Sequence, residues 1–117
     1  MLRLWRATIN TRNGLAFAIR SEQAVREEIV ALVLSLPLAW LIGATTMRRI
    51  ELIAAVVMVL IVELLNTAIE KLADRLTTDH DLQIGRVKDI SSAAVGVTLL
   101  MSAGFWLFAI AERMGLI

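Results

Sequence analysis

Residues 59–76 read VLIVELLNTAIEKLADRL. The stretch opens as uninterrupted hydrocarbon and closes as a charged helix. Glu63, Asn66, Glu70 and Asp74 stand at offsets of 0, 3, 7 and 11 residues. At about 100° per residue they fall near 0°, −60°, −20° and +20° around a helix axis. Three carboxylates and an amide therefore share one stripe. Glu63 sits within the apolar run, where an ionisable side chain costs about 2.5–3.5 kcal/mol or more. Partners from elsewhere in the chain must offset that cost.

The composition sets the solvent. Of 117 residues, 58% are hydrophobic, against about 45–50% apolar residues in a soluble domain. Mean hydropathy is +0.74. The absence of cysteine removes disulfides and thiolate metal sites. The basic, amphipathic N-terminus lacks the continuous apolar core of a cleavable signal. With no repeat and no low-complexity linker, residues 1–117 read as one domain.

Residues 1–20 carry Arg3, Arg6, Arg12 and Arg20 among Leu2, Leu4, Trp5, Ile9, Leu15, Phe17 and Ile19. This is too polar to cross a bilayer. It suits one or two amphipathic helices lying at a lipid surface, with a break expected at Asn13-Gly14. A lipid surface fits the apolar chain that follows better than nucleic acid does. Residues 21–28, SEQAVREE, read as a polar helix start, with Ser21 placed to cap it and Glu22 four residues from Arg26, the spacing of a helical ion pair.

Residues 29–47 are uncharged for 19 positions and residues 90–111 for 22, each long enough to span hydrocarbon. Pro37 is tolerable within a bundle. A second span is expected over 50–69, reached by a short turn at Thr45, Thr46, Arg48 and Arg49. A polar connection, residues 77–85, leads to the third. Ser91, Ser92, Ala93, Ala94, Gly96, Ser102, Ala103 and Gly104 suit close helix packing in lipid. The expected fold is thus an all-α membrane protein with three transmembrane helices and an N-terminal amphipathic surface helix. With three spans, Arg3, Arg6, Arg12, Arg20, Arg26, Lys71, Arg75, Arg86 and Lys88 share one side, against Arg48, Arg49 and Arg113 on the other. The basic side is the cytoplasmic one.

The cytoplasmic end collects Glu22, Glu28, Glu63, Asn66, Glu70, Asp74, Lys88 and Asp89. Carboxylates are hard ligands for Mg²⁺, and Lys and Arg neutralise phosphate oxygens. A carboxylate at the membrane surface can take a proton from a hydroxyl. There is no Walker motif and no kinase glycine loop, so a nucleotide site here has to be of another kind. His80 alone makes no transition-metal site. Spacing leaves open a Mg²⁺-dependent membrane enzyme, an ion-coupled transporter or proton relay, and a purely structural pairing of Glu63.

VELLNTAIEKLADR (residues 62–75), followed by GRVKDISSAAV (residues 85–95), resembles the prokaryotic diacylglycerol kinase family. That family's pattern is E-x-x-N-[ST]-A-I-E-x-x-x-D, a polar loop, then [AV]-K-D-x-x-[SA]-A-A-V. The resemblance covers nearly the whole chain. It implies a multi-pass homotrimer of the bacterial inner membrane, with active sites shared between chains on the cytoplasmic side. The implied reaction moves the γ-phosphate of ATP, with Mg²⁺, to diacylglycerol; undecaprenol is the acceptor in a related branch. The run from Lys88 to Ala94 resembles the diacylglycerol branch more.

By position, Glu63 matches the catalytic base and Glu22 and Glu70 the Mg²⁺ ligands. Arg3, Lys88 and Asp89 match nucleotide contacts, and Asn66, Asp74 and Glu28 other functionally sensitive positions. Lipid contacts are implied for Ala7, Arg12, Ala16, Ile19, Ala24, Glu28, Glu63, Asn66 and Ser92. Asn10 falls at a nucleotide-side position where relatives often carry an aromatic residue. In the loop, the family's His falls on Asp81 with His80 one place earlier, so Asp79, His80 and Asp81 together form the nucleotide-loop candidate.

Overall fold

The computed structural model describes residues 1–117 as four helices and no strand. They are α1 (Leu2–Ser21), α2 (Gln23–Ile42), α3 (Thr46–Leu76) and α4 (Leu82–Arg113). At 1.5 Å per residue, α3 and α4 are roughly 46 and 48 Å long, well beyond the roughly 30 Å of bilayer hydrocarbon. Both are long and apolar enough to cross a membrane. In α2 the longest uncharged run is residues 29–42, roughly 21 Å of helix.

The helix expected to continue to residue 47 stops at Ile42. Gly43 closes the last turn through its N–H to the Ala39 carbonyl at 2.9 Å. Thr45 then starts α3, its hydroxyl accepting from the Arg48 N–H at 3.1 Å. Arg49 folds back over the turn, donating from Nε to the Trp40 carbonyl at 3.1 Å. Its guanidinium stacks 3.9 Å from the Trp40 ring centre. A Cβ at position 43 would lie 2.5 Å from the Arg49 Cγ and 2.8 Å from the Ala39 oxygen. Only glycine permits so tight a reversal. Thr46, Arg48 and Arg49, expected in the turn, belong to α3.

At the N-terminal end α1 is a single helix, without the break expected at Asn13-Gly14. One glycine in a helix costs only about 1 kcal/mol, and good helix formers follow it. Ser21 ends α1 rather than capping α2; Glu22 is the one extended residue between them. Arg26 does not pair with Glu22. Its guanidinium donates to the Ile19 and Arg20 carbonyls at 2.9 and 3.1 Å, covering the exposed carbonyls of the α1 terminus. The third long helix begins at Leu82 rather than after Gly85, so the connection shrinks from residues 77–85 to residues 77–81.

Packing is concentrated between α3 and α4, and between α2 and α3. Ala39, Leu52 and Ala109, one from each long helix, are fully buried together, with Ile42, Ile53 and Trp106 around them. Further along, Ser91, Thr98 and Ser102 are the buried small residues of α4, whereas Ser92, Ala93, Ala94, Gly96, Ala103 and Gly104 face outward. Beyond the core, Arg48 clamps the ends of α3 and α4. It makes a two-pronged bond to Glu112 at 3.0 and 3.1 Å, another to Glu51 at 2.6 Å, and lies over the Phe108 ring. The Arg48 hydrogen bond pulls the Glu112 carboxyl below its usual range.

Only 17 of the 117 residues are buried, while Val30, Leu34, Leu38, Ile61, Leu65, Val97, Leu100 and Leu107 all point outward. A continuous apolar exterior of this kind is untenable in water. It is the surface a helical bundle presents to lipid or to other copies.

Candidate active site

The acidic stripe of α3 lies where α2 begins and α4 begins, so three elements meet over it. Glu63, Asn66 and Thr67 are 8%, 7% and 7% exposed. Glu70 is half-buried and Asp74 exposed, a gradient that follows the helix out of the apolar layer. Asn66 is the hinge of the group. Its Nδ2 donates to Glu70 Oε1 at 3.3 Å, and the Ser91 hydroxyl of α4 donates to its Oδ1 at 2.7 Å. An amide turned the other way would set its oxygen against the Glu70 carboxylate, so Ser91 and Glu70 agree on one orientation.

Glu22 and Glu28 stand at the foot of α2, which packs along α3, and both are half-buried. Burial, and then the neighbouring Glu27 charge, push the Glu28 carboxyl above its usual range. Glu22 is held by Lys71 at 2.8 Å. Lys88 pairs with Asp74 across the α3–α4 hairpin. Asp74, Asp79, His80, Asp81 and Lys88 line a polar hollow of about 320 Å³. Within that loop the Asp81 carboxylate caps α4, accepting from the Ile84 N–H at 3.0 Å. The Thr77 hydroxyl accepts from the Asp79 N–H at 3.0 Å. Asp89 is exposed one residue beyond Lys88.

Other expected site residues stand apart. Arg3, Ala7, Asn10 and Arg12 are exposed along the N-terminal part of α1, and Ile19, Ala24 and Ser92 are exposed as well, with Ala16 half-buried. Arg3 and Glu22 are at opposite ends of α1, roughly 28 Å apart at 1.5 Å per residue. Asn10, expected beside the nucleotide, lines an apolar groove of about 490 Å³ between α1 and α3, together with Leu15, Phe17, Thr67 and Lys71.

No three Asp, Glu or His side chains converge into a ready metal cage. The donors do suit Mg²⁺. It is commonly bound by one or two carboxylates and completed by substrate phosphates and water; Glu22 and Glu70 are half-buried carboxylates, and Lys71, next to Glu70 on α3, pairs with Glu22. Ser91 and Lys71 are absent from the sequence-based set of site residues. Ser91 is found only once the register of α3 against α4 is known. Lys71 does carry a signal in the sequence, a basic residue directly after Glu70.

A buried carboxylate–amide cluster at one end of a lipid-facing helical bundle defines a membrane protein with polar chemistry at its surface. The sequence profile described as "Prokaryotic diacylglycerol kinase" matches residues 10–110. The diacylglycerol kinase of Escherichia coli strain K12 is 35% identical over 102 residues, covering 87% of this chain and 84% of that protein. The diacylglycerol kinase of Haemophilus influenzae is 36% identical over 93 residues, 80% of this chain and 79% of the relative. That of Pseudomonas aeruginosa is 35% identical over 104 residues, 89% and 85%. The chain belongs to the prokaryotic diacylglycerol kinase family. It is accordingly an enzyme, a kinase of the membrane.

Proposed function

We propose that this protein transfers the γ-phosphate of ATP to the free hydroxyl of diacylglycerol, giving phosphatidic acid and ADP at the cytoplasmic face of the bacterial inner membrane. The observation that carries this reading is the Glu63–Asn66–Glu70 face, with Asn66 held by Ser91 and with half-buried Glu22 and Glu28 at the foot of the helix packed beside it. Glu63 and Glu70 are seven residues apart, roughly 10 Å along the axis. Glu63 is deeper, at the level of a lipid's hydroxyl, and takes its proton as that oxygen attacks the γ-phosphorus. The bond from phosphorus to the bridging oxygen breaks, and ADP leaves.

Glu22 and Glu70 would hold Mg²⁺, which when bound neutralises phosphate oxygens. Lys88, with Asp74, Asp89 and residues 79–81, faces the nucleotide. Asn66 orients the Glu70 carboxylate. Ala7, Arg12, Ala16, Ile19, Ala24, Glu28 and Ser92 border the lipid. In this reading three segments cross the membrane: residues 29–42 of α2, which the tight turn at 43–45 ends at the far side, residues 50–69 of α3 and residues 90–111 of α4.

The distance between Arg3 and Glu22 supports a homotrimer with shared sites, in which one chain's arm completes a neighbour's cluster. Chains carrying Arg3→Ala mixed with chains carrying Glu63→Gln should then recover part of the activity that each lacks alone. Well-folded mixed trimers that stay inactive would refute the sharing.

The deciding experiment is a micelle assay with Mg-ATP and either diacylglycerol or undecaprenol. Phosphatidic acid is the expected product. Folded protein that phosphorylates neither lipid would overturn the kinase reading, and solute or proton flux in proteoliposomes without ATP would favour a transporter.

A further inference from the structure

Lys71 touches three parts of the molecule at once. It belongs to α3, directly after Glu70. Its ammonium lies 2.8 Å from the carboxylate of Glu22, the lone extended residue between α1 and α2. The same ammonium lies 5.1 Å from the centre of the Phe17 ring on α1, within the range of cation–π attraction. Glu22 is also one of the two carboxylates assigned to the divalent cation. A Mg²⁺ ion binds carboxylate oxygen at about 2.0–2.1 Å. An ammonium at its present distance would then be a second cation against the same group. The two partners compete for Glu22.

We propose that Lys71 is an exchangeable counter-ion for the cation site, a positioning residue that holds Glu22 until a divalent ion with its nucleotide displaces it. This rests on the kinase reading above. Before loading, the ammonium neutralises Glu22, so the carboxylate cluster around Glu63 carries one less unbalanced charge. Through Phe17 it also fastens the end of α1 to α3. On loading, Glu22 turns to the divalent ion and Lys71 is released to the mouth of the groove between α1 and α3, which it already lines. Cation binding therefore loosens α1 at the groove where Asn10 and Thr67 stand. Lys71 thereby sets the cation concentration the enzyme requires.

The test is Mn²⁺ binding followed by electron paramagnetic resonance in detergent, with a non-hydrolysable ATP analogue, for wild type, Lys71→Met and Lys71→Gln. Half-exposed ion pairs hold only weakly, so removing the competitor should tighten Mn²⁺ binding by about two- to five-fold. In a Glu22→Gln background Lys71→Met should have no effect on Mn²⁺. Amide hydrogen exchange across residues 15–22 should rise in cation-free Lys71→Met, to the level wild type reaches only with Mn²⁺ and nucleotide. Unchanged or weaker Mn²⁺ binding in both Lys71 variants would overturn the inference, as would an effect that persists without Glu22. Wild type that phosphorylates diacylglycerol yet shows those results would sink this inference and leave the kinase reading standing. Wild type that binds no Mn²⁺ with the analogue and phosphorylates no lipid would sink both.

Discussion

Replacing Ser91 by Ala removes one hydroxyl and leaves the rest of the interface in place. The lost bond is the 2.7 Å contact from the Ser91 hydroxyl to the Asn66 carbonyl oxygen, and both residues are buried. A buried acceptor left without its donor costs about 1–3 kcal/mol. The damage to function comes from what Asn66 does next. With Oδ1 unheld, the amide is free to rotate, and its Nδ2 no longer points steadily at Glu70. If about 1–2 kcal/mol of that loss is felt in the transition state, kcat falls roughly 5- to 30-fold. Nucleotide KM should change little, because Ser91 has no part in the loop lined by residues 79–81. The assay is steady-state kinetics in mixed micelles, with Ser91→Thr to retain the hydroxyl and Asn66→Ala as the reference. Ser91→Ala should add nothing to Asn66→Ala, since the two act as one unit. A Ser91→Ala enzyme within two-fold of wild type would refute the reasoning, as would full additivity with Asn66→Ala.

Glu63→Gln keeps the shape but not the base; kcat should drop by about 10²–10⁴-fold with nucleotide affinity nearly intact. Glu70→Gln should instead raise the Mg²⁺ concentration needed for half-maximal rate, and a metal dependence that moved with Glu63 alone would reverse the assignment of roles. Gly43→Ala forces a methyl against Arg49 and the Ala39 carbonyl, and should destabilise by about 1–3 kcal/mol, read as a lower Tm in detergent; an unchanged Tm would mean the turn is looser than described. The Glu112 carboxyl is held below its usual range by Arg48, so the clamp's contribution is intact above the ordinary carboxylate pKa and lost as pH falls through the depressed one. Tm should therefore fall in that acid window, and the fall should be smaller in Glu112→Gln.

Much of the fold was legible because lipid imposes long uncharged runs, and those runs are visible without any partner. The acidic face of α3 was legible for a related reason: 3.6-residue periodicity places Glu63, Asn66 and Glu70 together before any tertiary contact is known. What escaped were features that depend on one helix meeting another. The end of α2 at Ile42 combines a local signal, Gly43, with a contact from the next helix, Arg49 reaching back to the Trp40 carbonyl. Helical spacing pairs Glu22 with Arg26, yet the helix breaks at Glu22 itself and Arg26 turns to the carbonyls of α1. Ser91 and Ser92 are neighbours in a run of small residues, and only the packing of α4 on α3 decides that Ser91 faces Asn66 and Ser92 faces outward.

The length of α3 has a physical consequence for where this protein can work. A single unbroken rod carries both the membrane-buried residues and the acidic cluster, so the depth of Glu63 is fixed relative to the hydrocarbon that grips the rest of the helix. Natural bilayers differ in thickness by a few Å, about the rise of two residues on α3. In a thicker membrane Glu63 sinks relative to the glycerol backbone of its neighbours; in a thinner one it rides above it. Tilting the rod restores part of the match, but the Arg48–Glu112 clamp obliges α4 to tilt with it. With Glu63 as the proposed base, turnover should therefore vary with the acyl-chain length of the bilayer that holds the enzyme, and equal rates in thin and thick bilayers would show that the depth of Glu63 does not matter.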